Sequence, residues 1–253
     1  MIEIILLAII AGFTLEFIDS FLGGGYGTVL TPLFLVLGFA LPQIIPMILL
    51  SEILTGLIGG VFHHNFGHVD KKAIKYVTPF AICGTLFAIF TAIKVNKFWI
   101  NLYVGLLVLI LGILMFIRYW KNRNNNHISE KIHNYRLPFI GSLIGFNKGL
   151  TAGGFGPVLT GGLSWSGYNP KKSVGSTTLT EGLVCVVGFI GYWLTKGISD
   201  INWTIAIPLI IGACLATFPA AYATNRVPKK ILGVLVSMTI IILGIAVLAK
   251  LPG

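Results

Sequence analysis

Charged side chains are scarce in this chain, 10% of 253 residues with only eight acids among them, where soluble domains carry about 25%. A water-soluble globule is thereby excluded, and a 55% share of hydrophobic residues points to a membrane protein. Cysteine is also rare. Cys83, Cys185 and Cys214 are odd in number, far apart and set in apolar surroundings, which argues against a disulfide framework and makes them packing residues. The sequence contains no HExxH or Cys/His metal spacing, no P-loop, no dinucleotide fingerprint and no nucleophile–base constellation, so no enzyme, metal or cofactor is expected. The N-terminal run MIEIILLAIIAGF lacks a basic leader and a small-residue cleavage site and reads as a retained helix.

What the chain has instead is apolar length. Uncharged runs at Tyr76–Ile93, Phe98–Ile117, Trp203–Asn225 and Ile231–Ala249 reach the roughly 18 helical residues needed to cross about 30 Å of hydrocarbon. Pro42–Phe62 and Ser173–Thr195 are of similar length, but each holds one carboxylate, Glu52 or Glu181. The net charge of +10 sits in short clusters between spans, as the positive-inside rule requires, so nucleic acid is not an expected partner. Placing the polar stretch Arg118–Arg136 in the cytoplasm puts Lys71, Lys72, Lys75, Lys171, Lys172, Arg226, Lys229 and Lys230 inside. The outside then receives only Glu3, Lys94, Lys97, the Lys196/Asp200 pair and Lys250. The expected location is the cell membrane, with both termini outside.

A shift of 129 residues sets Gly24, Gly25 and Gly27 on Gly153, Gly154 and Gly156, and Glu52 on Glu181. Over Leu22–Gly60 the shift yields eleven identities, against roughly three expected from so biased a composition, and identifies an internal repeat. The expected organisation is a first transmembrane repeat at 1–120, a cytoplasmic linker at 121–135 and a second repeat at 136–253. An odd number of crossings per half turns the second copy upside down. The predicted fold is therefore an all-α polytopic membrane protein of two inverted-topology repeats, each a glycine-broken helical hairpin plus three spanning helices. The first two segments of each half either cross twice or re-enter. Thr28–Gly38, roughly 16 Å of helix, is too short to cross alone, which favours re-entry.

A glycine break at membrane depth persists only inside protein or beside a water-filled cavity. The stretches Gly23, Gly24, Gly25, Tyr26, Gly27 and Gly153, Gly154, Phe155, Gly156 read as a site where naked backbone and a helix N-terminus near Thr28 meet an anion. Close helix packing is the structural alternative. Thr31, Thr160, Ser51, Ser176 and Thr180 are candidate polar liners. Glu52 and Glu181, near the middle of matching helices, are candidates for proton coupling or gating, with paired packing glutamates as the alternative. Asp19 falls on Lys148 in the repeat register, so the two are expected either to pair across the halves or to leave Lys148 as a direct anion ligand. Glu16 shares a helix face with Asp19. His63, about three turns beyond Glu52 on the same face, is a relay or gate candidate or a boundary residue. His68 and Asp70 read as loop.

These motifs resemble the TauE/SafE family of sulfite exporter-like permeases. The resemblance rests on GGGYGT at 23–28, Ser51-Glu52 with Thr55-Gly56, His63-His64 through Asp70, and, in the second half, Gly153–Pro157 and Gly175-Ser176 through Glu181. It implies a secondary transporter of a small sulfur-containing anion (sulfite, thiosulfate, sulfate or an organosulfonate), coupled to protons. The expected partners are that anion, protons and the lipid bilayer, with a homodimer left open. A non-transporting membrane scaffold, or a partner of a sulfur-metabolising enzyme, is the alternative, and a channel is a third option.

Overall fold

The computed structural model describes residues 2–92, 95–120, 132–197, 199, 201–224, 226 and 230–251. Residues 121–131 of the expected linker, and Lys94, Asp200 and Lys229 of the charge asymmetry, lie outside the described residues. The described residues form helices: α1 Ile2–Leu22, α2 Tyr26–Val36, α3 Leu41–Asn65, α4 Lys71–Ala92, α5 Lys97–Trp120, α6 Leu137–Thr151, α7 Phe155–Trp165, α8 Pro170–Lys196, α9 Trp203–Ala223 and α10 Lys230–Ala249. Short polar side chains start several of them. Asp70 Oδ1 accepts from Lys72 N and Ala73 N, Asn96 Oδ1 from Phe98 N and Asn169 Oδ1 from Lys171 N, each satisfying a donor that the first helical turn leaves unpaired.

Seven of these helices, α1, α3, α4, α5, α8, α9 and α10, are long and apolar enough to cross a membrane. The six spans expected from sequence fall in α3, α4, α5, α8, α9 and α10, and α1 is the seventh. Polarity is arranged inside out. Leu6, Phe87, Phe90, Leu114, Leu215 and Ile242 are exposed, while Glu16, Asp19, Glu52, Lys148 and Glu181 are buried. A hydrocarbon solvent favours that distribution and water opposes it. The protein is an all-α, multi-pass membrane protein.

The two hairpins differ in length. α6, with 15 residues, and α7, with 11, reach only roughly 22 and 16 Å. Their outer ends meet: His133 N donates to Ser166 O at 2.9 Å, Arg136 Nη1 donates to Trp165 O at 3.1 Å, and the guanidinium lies 4.1 Å from the Trp165 ring centroid. The two ends of this hairpin therefore lie side by side. α1, with 21 residues, is long enough to cross, whereas α2, with 11, is not.

The four most extensive helix packings, α4 on α6, α1 on α9, α5 on α10 and α3 on α8, each join a helix of the first half to one of the second. The halves are thus interleaved, and each of the two hydrophobic clusters draws residues from both. Exchanging the halves maps this set of packings onto itself. At residue level, Gly59 faces Thr178 while Gly188 faces Leu49, the same contact after the 129-residue shift. Small residues make the approach close. A Cβ at Gly145 would overlap the Ala81 carbonyl, and one at Gly212 the Ile9 carbonyl, so main chain meets main chain where dispersion replaces the hydrophobic effect.

Candidate functional site

The two glycine breaks cross each other in the interior. Gly23 and Gly24 take left-handed φ values of 83° and 148°, and their amides donate to Asp19 O at 2.7 and 3.1 Å. In the second half Ala152 and Gly154 have φ of 56° and 75°. Gly24 then packs on Gly156 and Pro157, and Gly27 on Ala152 and Gly153. Each contact is the counterpart of the other under the repeat shift. α2 starts at Tyr26, two residues before the expected Thr28.

A break at this depth leaves carbonyls without helical partners, and each half supplies donors to the other. Thr31 Oγ1 donates to Thr151 O at 2.8 Å and Thr160 Oγ1 donates to Gly23 O, while Thr28 Oγ1 accepts from Gly154 N at 3.1 Å. The hydroxyls expected to line a substrate site therefore bind the crossing together. Thr31→Val and Thr160→Val are each expected to cost about 1–3 kcal/mol, because a buried carbonyl loses its donor while shape is kept. Thermal unfolding in detergent measures it, and unchanged midpoints would refute the assignment.

Beside the crossing lies Lys148, fully buried, with its ammonium held by carboxylates from both halves. Nζ donates to Glu52 Oε2, to Glu181 Oε1 at 2.7 Å and to Ala152 O at 3.1 Å. Glu52 and Glu181 are 2% and 4% exposed, so the triad is dry. The Cys185 Sγ lies 3.6 Å from Glu52 Oε2, and the Phe155 ring centroid lies 5.8 Å from Nζ. Glu52 Oε1 has no hydrogen-bond partner and points at Gly27, where an added Cβ would sit 3.1 Å away.

The expected ion pair between Asp19 and Lys148 is not formed; the salt bridges of Lys148 are to Glu52 and Glu181. The reason lies in the break. Asp19 Oδ1 accepts from Tyr26 N at 3.0 Å, where its charge meets the positive end of α2, and the long lysine side chain reaches α3 and α8 instead. The anion at the α2 N-terminus is the protein's own.

Other candidates separate. Tyr26 Oη and Ser51 Oγ share a hydrogen bond at 2.6 Å, and Thr180 is buried next to Glu181. Ser176 Oγ instead accepts from Asp70 N at 2.9 Å, away from the triad. His63 is fully buried. Its Nε2 donates to Ser20 O at 3.1 Å, and its Nδ1 lies 3.1 Å from Nδ1 of His68, itself buried rather than a plain loop residue. Glu16 was assigned no role from sequence, yet it is 1% exposed, accepts from Ser20 Oγ at 2.7 Å and leaves its second oxygen unpartnered. Its i, i+3 spacing from Asp19 was the available signal. A cavity of about 250 Å³, with Ile45, Asn101, Leu150 and Tyr192 in its wall, reaches α6 two residues from Lys148, but none of the acids lines it.

The profile of the Sulfite exporter TauE/SafE family matches residues 8–247. The chain belongs to this family. Among curated relatives, the probable membrane transporter protein YtnM of Bacillus subtilis (strain 168) is 30% identical over 237 residues, covering 91% of this chain and 78% of the relative. The probable membrane transporter protein YdhB of the same organism is 25% identical over 250 residues, 96% of this chain and all of the relative. No solved structure matches the chain. Family and relatives together mark this TauE/SafE member as a membrane transporter.

Proposed function

We propose that the chain is a secondary transporter that moves a small sulfur-containing anion, such as sulfite, thiosulfate, sulfate or an organosulfonate, across the cytoplasmic membrane in exchange with, or together with, protons. The observation that carries this reading is the caged ammonium of Lys148. It is a positive charge at the crossing of two broken helices, neutralised by carboxylates that an incoming anion can replace. Glu52 and Glu181 gate the site by competing with the anion for Lys148. The backbone of 23–27 and 153–156, with Thr31, Ser51, Thr160 and Thr180 behind it, forms the surrounding wall. His63, paired with His68, lies on one flank of Ser20 and controls access there.

The two repeats are inverted copies, with both termini outside; this requires α1 and α2 together to return to the side from which they entered, so that α1, although long enough to cross, counts as one arm of a hairpin. This reading draws on the exchange of contacts between halves and on the α6–α7 hairpin, whose ends lie side by side. The closed cluster represents an occluded state, reached when neither side is open. The same closure is what a non-transporting scaffold would display, so flux decides between them. Purified protein in vesicles with an imposed pH gradient is expected to accumulate radiolabelled sulfite, thiosulfate or taurine. Glu52→Gln and Glu181→Gln should each lower the rate by about tenfold or more, a change of ~1.4 kcal/mol in the barrier. No flux of any of the three favours the scaffold, and unchanged flux in both variants removes the gating role.

A further inference from the structure

The buried cluster has more acid than base. Glu16, Asp19, Glu52 and Glu181 are all buried, whereas Lys148 is the only lysine or arginine that is buried among the described residues. Three of the acids have a partner suited to negative charge: Glu52 and Glu181 hold Lys148, and Asp19 caps α2. Glu16 has none. One oxygen accepts from the neutral Ser20 hydroxyl, and the other, Oε2, is buried without a partner. An ionised carboxylate in hydrocarbon-depth protein with no cation is the costliest arrangement available. The groups facing it are acidic or neutral: Asp19 on its own helix, Tyr26 on α2, Glu52 and Thr55 on α3, and Cys214 on α9.

Resting on the transport reading above, we propose that Glu16 is the acid that binds and releases the coupling proton, while Lys148, Glu52 and Glu181 remain the charged anion gate. A proton on Glu16 Oε2 and an anion at Lys148 arrive as opposite charges, so the proton cancels one unit of the charge that the anion brings and the two bind cooperatively. A polar line leads to Glu16 from the His63–His68 pair. His63 Nε2 donates to the carbonyl of Ser20, and the hydroxyl of the same residue donates to Glu16. Only the first half carries this acid. In the repeat register Glu16 falls on Gly145, which packs directly on the Ala81 carbonyl and leaves no room for a side chain.

The test uses purified full-length protein, folded as judged by a single gel-filtration peak. In infrared difference spectra across a pH titration, a protonated-carboxyl C=O band is expected in the wild type and in Glu52→Gln, and is expected to vanish in Glu16→Gln. In vesicles, Glu16→Gln should still move sulfite or thiosulfate, within about threefold of the wild-type rate, but without proton co-movement detected by an internal pH dye. Glu16→Asp should restore the coupling. A band retained in Glu16→Gln, or proton-driven accumulation equal to wild type in that variant, overturns the proposal. A wild-type protein that moves neither anion overturns the transport reading and the coupling role with it, and the infrared band then still decides whether Glu16 holds a proton.

Discussion

Lys148→Ala is expected to abolish transport and to destabilise the fold by about 3–5 kcal/mol, the cost of leaving buried charges without their counter-ion. The lysine is fully buried and binds Glu52, Glu181 and the Ala152 carbonyl, so its removal strands two carboxylates and one carbonyl together. The stabilising part of this role is separable from the functional one. Adding Glu52→Gln and Glu181→Gln to Lys148→Ala removes the stranded charges and should recover most of the lost stability, while flux stays at background. Thermal unfolding in detergent reads the first effect and vesicle uptake the second. A Lys148→Ala protein as stable as wild type would mean that the acids are neutral without their lysine, and the ionic triad would be refuted. Asp19→Lys combined with Lys148→Asp is not expected to restore activity, because Asp19 serves the α2 N-terminus rather than Lys148.

The second large effect concerns the crossing. A Cβ at Gly27 would overlap the Ala152 carbonyl, and one at Gly24 would overlap the backbone of Pro157. Neither obstacle is a flexible side chain, so Gly27→Val is expected to cost about 3 kcal/mol or more through displaced main chain. Gly38 supplies the control. Its φ is +95° with nothing within 4 Å of an added Cβ, so Gly38→Ala carries only a backbone penalty of about 1 kcal/mol. Unfolding midpoints and the yield of monodisperse protein compare the two. Equal losses at both positions would show that close approach of the two breaks is not what the glycines serve.

Much of this site was legible before any coordinates. Eleven identities at one register marked the duplicated breaks, and two acids at matching places in spanning helices marked a shared interior, since isolated carboxylates at that depth are costly. Both acids do meet, on Lys148. Of the two expectations for that lysine, the pair with Asp19 is not formed, because register relates equivalent positions and equivalence says nothing about contact. Asp19 and Lys148 occupy matching places but do different work, one capping a helix and the other bridging two. Glu16 and His68 were undervalued for a related reason: the first looked like a neighbour of Asp19 and the second like a loop residue. Glu16 is buried where α1 meets α2, α3 and α9, and only the turn after α3 returns His68 to His63.

The linear chain alone determined that the protein lives in lipid and that six of its spans lie where apolar runs exceed the membrane's thickness, and it set eleven identities of the two halves in one register. Those properties follow from local length, composition and self-similarity, which need no knowledge of neighbours. Tertiary structure decided which charges neutralise one another and which hydroxyls satisfy the broken helices. Such outcomes depend on distances between residues far apart in the chain, 96 positions from Glu52 to Lys148 and 120 from Thr31 to Thr151, and in a dry interior those distances set the electrostatic energy.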